Sequence, residues 1–238
     1  MKTLKDIENQ IKTFQDKFGT DIISAPQGST AWLQTRLGVI TASNASKVVA
    51  KVDSETRKTY MFELVAQIAT GITEEINSKY LEWGKMNEDA CRSSYEFEHN
   101  VQVKEVSFIF KDESFREGVS LDGLAIHNDC IVPIECKCPY NSVHYLKFLL
   151  DSKIKKEYEW QCQFGMRVIG ADFYHIAQYD PRMSVHPFKI IVFERDGKAQ
   201  ETLNDAVPQF LSDMDKILNE IGLSFGLQWK RLSNSAVS

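Results

Sequence analysis

No stretch of this chain approaches the ~18 consecutive apolar residues of a membrane span, and its charged N-terminus carries no apolar signal-peptide core. A soluble, cytoplasmic protein is the expectation. Cysteine is scarce and odd in number, five in 238 residues without the spacing of a small disulfide framework, which points to reduced thiols. His144, His175 and His186 are scattered, so no histidine-based hydrolase is suggested. His127, Cys130, Cys136 and Cys138 lie close together, but Cys136-x-Cys138 is too tight for a zinc ligand pair and no second compact pair follows. No cysteine follows Cys162, which removes the ligands that an iron-sulfur cluster beyond the core would need. Internal repeats, low-complexity tracts and long linkers are missing too, so nothing marks a domain boundary.

An excess of positive charge is also lacking. The net charge is −5, whereas dedicated nucleic-acid binders are usually basic. That balance does not exclude such a partner, because an enzyme that encloses its substrate can be basic only along its inner channel. Lys47, Lys51, Arg57 and Lys58 form one local basic group, and Lys153, Lys155 and Lys156 another. Solvated helix faces are the commoner fate of such groups.

What is present is a 43% hydrophobic content with clear periodicity. Leu4, Ile7, Ile11, Phe14 and Phe18 recur at helical spacing, and Gly19, Pro26 and Gly28 then mark a loop. Helices are expected over 60–68, ended by Gly71 and with Thr41 or Ser43 as a cap before it, and over 80–97, 143–150, 158–169 and 206–221. Strands are expected over 101–110, 118–126, 131–138, 173–179 and 188–194, where apolar and β-branched residues dominate between turn residues. Helices flanking a group of strands give a mixed α/β architecture.

Chemistry concentrates in Ser120-Leu-Asp-Gly-Leu124 and Ile134-Glu-Cys-Lys-Cys138. An acid in a turn, followed by a short strand ending in Glu-x-Lys, puts Glu135 and Lys137 on one face and Cys136 on the other, since strand side chains repeat with period two. Phosphodiester hydrolysis needs charge stabilisation on the phosphate oxygens and a source of hydroxide at neutral pH. Carboxylate-held Mg²⁺ supplies both. In that reading Asp122 and Glu135 are metal ligands, the Cys136 carbonyl is a further oxygen ligand, and Lys137 orients or deprotonates the attacking water. A plainer reading stands beside it, in which Asp122-Gly123 is a hairpin turn and Glu135 and Lys137 a solvated charge pattern. Asp…Glu-x-Lys alone is short enough to arise by chance.

Longer blocks decide between them. Trp32-Leu-Gln-Thr-Arg-Leu-Gly-Val-Ile-Thr-Ala-Ser43, Leu81-Glu-Trp-Gly-Lys85 with Glu88-Asp-Ala90, Asp122-Gly-Leu124, Glu135-Cys-Lys-Cys-Pro139 and Tyr179-Asp-Pro-Arg-Met183 resemble, in order, the phage lambda exonuclease family of YqaJ-like viral recombinase exonucleases. The resemblance runs from about Trp32 to Trp229, so residues 1–238 read as one nuclease domain with an N-terminal helical extension over about 1–28. It implies a restriction-endonuclease-like nuclease core, an α/β fold with a central mixed sheet flanked by helices. It implies a Mg²⁺-dependent 5′-to-3′ exonuclease, with Mn²⁺ as substitute metal, that releases mononucleotides from linear double-stranded DNA and leaves a 3′ overhang for recombination by strand annealing. A homotrimer, a single-strand annealing protein as partner, and a phage or prophage origin in a bacterial host also follow from it.

The same resemblance assigns individual residues. Glu88 projects into the active site, Arg36, Ser43 and Ser120 hold the 5′ phosphate of the DNA end, Leu81 is a wedge between terminal base pairs, and Gln161 bonds near the metal or the scissile phosphate. By their residue types alone, Glu88 is a solvated helix charge, Leu81 a core leucine, Ser43 a cap, Arg36 an ion-pair partner and Gln161 equally structural. Two positions depart from the family. Gly165 stands where relatives carry Tyr four residues after the Gln, and Leu121 stands where Pro commonly precedes the Asp, a change that bears on turn rigidity more than on metal chemistry. An endonuclease on the same core and a non-catalytic DNA-end-binding protein are the rival readings.

Overall fold

The computed structural model describes residues 2–73, 78–127 and 130–235. Its first helix, α1 (Leu4–Phe18), buries Ile7, Phe14 and Phe18 as the spacing predicts; Thr3 opens it with a capping box to Asp6, and Gly19 closes it at φ 68°. Next come α2 (Thr30–Thr35), β1 (Ile40–Thr41), α3 (Ala45–Val48), α4 (Glu55–Thr70) and α5 (Lys79–His99). Ser54, rather than Thr41 or Ser43, caps α4 by accepting a hydrogen bond from the Arg57 N–H. The remaining elements are β2 (Val103–Lys104), β3 (Ile109–Phe110), β4 (Glu117–Val119), β5 (Gly123–His127), β6 (Cys130–Lys137), α6 (Ser142–Asp151), α7 (Lys156–Ile169), β7 (Phe173–Tyr179), β8 (Phe188–Glu194), α8 (Gly197–Glu220) and α9 (Leu227–Ser235).

The strands expected over 101–110 and 118–126 are each broken, because their halves belong to different sheets. A five-stranded mixed sheet runs β2-β5-β6-β7-β8, and a three-stranded sheet runs β1-β4-β3. Gln27 bridges the two corners, its Nε2 donating to the carbonyls of Val106 at 2.9 Å and Leu121 at 2.7 Å. Leu121 is fully buried in the main core, so the chain turns there and presents Asp122 at the start of β5. The helix expected over 206–221 begins earlier, at Gly197, capped by Asp196, and carries Pro208 inside it.

Helices cover both faces of the large sheet. Tyr60, Leu64, Phe164, Phe210 and Met214, from α4, α7 and α8, belong to the main core, while Cys91 and Tyr95 of α5 pack with Ala125, Ile134, Cys136 and Ala177. β6 and β7 are parallel, joined through α6 and α7, as a parallel pair requires of its crossover. Among the described residues no helix is long and apolar enough to cross a membrane.

A third core, in which six aromatic rings pack with Ile22, Ile23 and Val39, ties the first and last helices together. Phe14 of α1 lies with its ring centroid 4.8 Å from Phe18, 5.2 Å from Phe115 and 4.9 Å from Trp229 of α9. Such edge-to-face contacts add to the burial of large rings. Replacing Phe14 by Ala is expected to cost about 3–5 kcal/mol in urea-induced unfolding. A loss below about 1 kcal/mol would mean that α1 is not integral to the fold.

Candidate active site

The pairing of β5 with β6 creates the site. Gly123 pairs with Ile134, which sets Asp122 beside Glu135 at the end of the sheet. A Cβ on Gly123 would meet Val103 Cγ1 at 2.3 Å, so glycine is needed there for β2 to approach. The Cys136 N–H donates to Asp122 Oδ2 at 2.7 Å, and the Lys137 ammonium donates to Glu135 Oε1 at 2.5 Å. Tyr174 on β7, brought alongside by the parallel register of Glu135 with Ile176, donates its hydroxyl to Glu135 Oε2 at 3.2 Å. Its ring occupies the space left by Gly165, where a Cβ would meet Tyr174 Cε2 at 2.5 Å.

Glu88 reaches the same place from α5. Arg92 donates to Glu88 Oε1 at 2.5 Å, to the Asp122 carbonyl at 3.0 Å and to Glu105 at 3.0 Å, and also pairs with Asp89. One guanidinium therefore ties the helix carboxylate to the β5 turn. Glu88, Asp122, Glu135 and Lys137 line a cleft of about 900 Å³, together with Leu81, which is 48% exposed. Lys85, Lys147, Lys153 and Lys155 also line it, so part of one basic group noted in the sequence faces the cleft. Arg57 of the other group does not join a basic face: it is buried and paired with Asp213 at 3.0 Å.

Burial and the charge of Glu135 push the Asp122 carboxyl well above the ordinary carboxylate range. Burial likewise raises Glu88, with Arg92 working against it and Glu135 adding to it. Burial works against the charge of Lys137, but Glu135 and Asp122 more than offset it and hold its pKa above the usual lysine value. Among the described residues no three His, Cys, Asp or Glu side chains stand as a ready-made metal-ligand set. The donor chemistry nevertheless suits a hard cation: carboxylate oxygens crowd together at Asp122, Glu135 and Glu88, their repulsion is felt by Asp122, and Lys137 supplies the positive charge between them. The Cys136 and Cys138 thiols point into the apolar cluster on the other side, within hydrogen-bonding reach of Cys91. They are free thiols; the side chains of His127 and Cys130 lie outside the described residues.

Arg36 and Ser43 flank β1 along the chain, and Ser120 follows β4, the parallel partner of β1. Thr41 of β1 pairs with Gly118 of β4 in parallel, and Ser43 and Ser120 each lie two residues beyond that pair. The Thr41 and Ser43 hydroxyls are 3.2 Å apart. The Arg36 guanidinium lies over the Trp32 ring at 4.1 Å, and burial lowers its pKa. Among the described residues its Nε has no hydrogen-bond partner, and neither does the buried Ser120 hydroxyl. Gln161 is buried on α7 and makes no hydrogen bond to Asp122, Glu135 or Lys137 among the described residues. Arg92 and Tyr174 were not singled out from the sequence: Arg92 reads as an ordinary helix pair with Glu88 at i,i+4, and Tyr174 as a strand aromatic.

The model of the YqaJ-like viral recombinase domain family matches residues 31–172. The alkaline exonuclease LHK-Exo of Laribacter hongkongensis superposes with a TM-score of 0.71 at 27% identity, over 88% of this chain and 100% of that one. A second structure of that protein, in complex with dAMP, superposes equally well at 26% identity. A phage-related exonuclease of Haemophilus somnus 129PT shares the fold, with a TM-score of 0.65 at 15% identity over 77% of this chain and 96% of that one. The uncharacterised protein ExoD of Escherichia coli (strain K12) is 40% identical over 77 residues, 32% of this chain and 88% of that protein. The mixed α/β core is that of the restriction-endonuclease-like nucleases.

Two outcomes are expected from this geometry. Tyr174→Phe should lower turnover about tenfold, the worth of a hydrogen bond to a charged group, while leaving the melting temperature nearly unchanged; unaltered turnover would remove Tyr174 from the site. Metal-free protein should also carry strain from Asp122. The folded state keeps that proton to a higher pH than the unfolded chain does, so stability falls as pH rises from the ordinary carboxylate value through the raised one. Asp122→Asn should therefore raise the melting temperature in EDTA near neutral pH. A lower melting temperature would show that the ionised carboxylate is stabilising.

Proposed function

This chain belongs to the YqaJ-like viral recombinase domain family, and from that premise we propose that it is a Mg²⁺-dependent 5′-to-3′ exonuclease acting on linear double-stranded DNA. The observation that carries the reading is the clustering of Glu88, Asp122, Glu135 and Lys137 in one cleft. The products are mononucleotides and a 3′ overhang fit for strand annealing. The dAMP in the LHK-Exo complex is a mononucleotide of that kind. By the same family reasoning the active form is a homotrimer and works with a single-strand annealing protein.

Asp122, Glu135 and the Cys136 carbonyl would hold the metal. Mg²⁺, or Mn²⁺ in its place, supplies Lewis-acid charge at the phosphate and makes water acidic enough to act near neutral pH. Lys137, kept as an ammonium by Glu135 and Asp122, orients the water and offsets phosphate charge rather than serving as the base. Glu88, with its proton affinity raised by burial and its position set by Arg92, takes the proton from the water. The Cys136 N–H keeps Asp122 aligned. Arg36, stacked on Trp32 and lacking a carboxylate partner among the described residues, forks onto the 5′ phosphate, with Ser43 and Ser120 as further donors. Leu81, exposed at the cleft, wedges apart the terminal base pairs. Gln161 supports the α7 side of the site from its buried position.

The test is digestion of linear duplex DNA labelled at one 5′ end, with and without a 5′ phosphate, in Mg²⁺ and in EDTA, beside a closed circle. Mg²⁺-dependent loss of the phosphorylated 5′ strand with an intact circle is expected. Cutting of the circle would point to the endonuclease instead, and end binding without cutting to the non-catalytic protein. Arg36→Ala should slow digestion of the phosphorylated end roughly 10–100-fold, down to the rate on a 5′ hydroxyl end. An unchanged preference for the phosphate would remove Arg36 from the pocket.

A further inference from the structure

The cleft has an aromatic wall that none of these steps uses. Tyr80, in the first turn of α5, and Tyr140, in the loop after β6, stand edge to face with ring centroids 5.2 Å apart. Both line the cleft that contains Asp122 and Glu135, yet they remain 60% and 41% exposed.

The rings are held in place from behind. Arg182 of the Asp180-Pro-Arg182 turn donates to the carbonyls of Tyr140 at 2.8 Å and Pro139 at 3.0 Å. Asp180, fully buried, fixes the same guanidinium through both carboxylate oxygens, at 2.8 and 2.9 Å. Arg182 also lies over the Trp83 indole at 4.5 Å, and Trp83 stands edge-on to Tyr140 at 6.0 Å. The Lys79 ammonium sits 5.4 Å from the Tyr80 ring and 5.2 Å from the Tyr140 ring. Three sequence blocks, at Trp83, Pro139 and Asp180–Arg182, thus converge on bracing the Tyr140 loop, against whose ring Tyr80 stands at 83°, and both rings stay partly exposed beside the Lys79 ammonium. A loop that only joined β6 to α6 would need no such bracing.

Flat, preorganised aromatic faces beside a basic group match a nucleobase attached to a phosphate backbone. Every base offers a π-face, so stacking is tolerant of sequence, while the ammonium suits the phosphate. A partner helix would instead need a continuous apolar stripe, and the apolar residues of this cleft are interrupted by Glu88, Asp122, Glu135, Asp151 and the lysines at 85, 147, 153 and 155.

We propose that Tyr80 and Tyr140 form a stacking platform for a base of the cleaved strand, at one of the two nucleotides flanking the scissile phosphate. The platform rests on the exonuclease reading above and adds a base-binding subsite to it. It makes the enzyme sensitive to the presence of a base but not to its identity. The test is single-turnover digestion of 5′-phosphorylated duplexes in Mg²⁺, with either natural ends or a reduced abasic residue at the first or second nucleotide. The wild type should cleave one of the abasic duplexes roughly tenfold more slowly than the natural one. Tyr80→Ala and Tyr140→Ala should slow cleavage of the natural duplex to a similar degree and erase the difference between base and abasic site. Tyr140→Trp, which keeps a π-face, should retain that difference. A merely structural role for the rings would lower all rates and leave the ratio untouched. A ratio that is the same in wild type and both alanine variants, or a wild type indifferent to the abasic residue, overturns the platform and leaves the exonuclease standing. Failure of the wild type to digest any of the duplexes overturns the exonuclease reading and the platform with it.

Discussion

The withdrawal of the Asp122 carboxyl from water beside the negative charge of Glu135, at the end of β5 and β6, is the constraint on which this site depends. Loss of water, and after it the negative charge of Glu135, disfavours the ionised Asp122 carboxyl, and positive charge nearby offsets both. Lys137 provides that charge from the same face of the same strand, and its own ammonium is stabilised in return. The Cys136 N–H donates to one oxygen of Asp122, and the Tyr174 hydroxyl to the oxygen of Glu135 that Lys137 does not reach. A divalent cation would relieve the remaining excess of negative charge.

The fold makes this arrangement durable by putting the site at a seam. Asp122 follows the turn that carries the chain from the small sheet into the large one, and Leu121 anchors that turn in the main core. Ser120, one step earlier, follows β4, whose parallel partner β1 leads into Ser43. Three consecutive residues therefore leave the small sheet, enter the core and begin the carboxylate cluster in turn. Movement at the seam would disturb all three at once, and Gln27 holds both of its corners.

Much of this was legible in the chain because strand periodicity is strict. Glu135 and Lys137 share a face at a spacing of two, which is a local rule, whereas Asp122 comes beside Glu135 through the pairing of β5 with β6. Leu81 and Glu88 were reached through the family blocks, and both line the cleft. Tyr174 was not legible, because its bond to Glu135 depends on the β6–β7 register and on a gap at Gly165 from a distant helix. Arg92 escaped notice for a different reason: its i,i+4 relation to Glu88 looks like a solvated helix pair, and its contact with the Asp122 carbonyl exists only once α5 lies against the sheet. The two broken strands were read as continuous because apolar residues carry across corners that only tertiary packing bends.

The most direct test of the carboxylate cluster is a titration of Mn²⁺ followed by the electron paramagnetic resonance of the free ion, with wild type, Asp122→Asn and Glu135→Gln proteins. The wild type should take up Mn²⁺ in competition with Mg²⁺, and both folded variants should lose that uptake. Undiminished Mn²⁺ binding by the two variants would contradict a metal site built on Asp122 and Glu135.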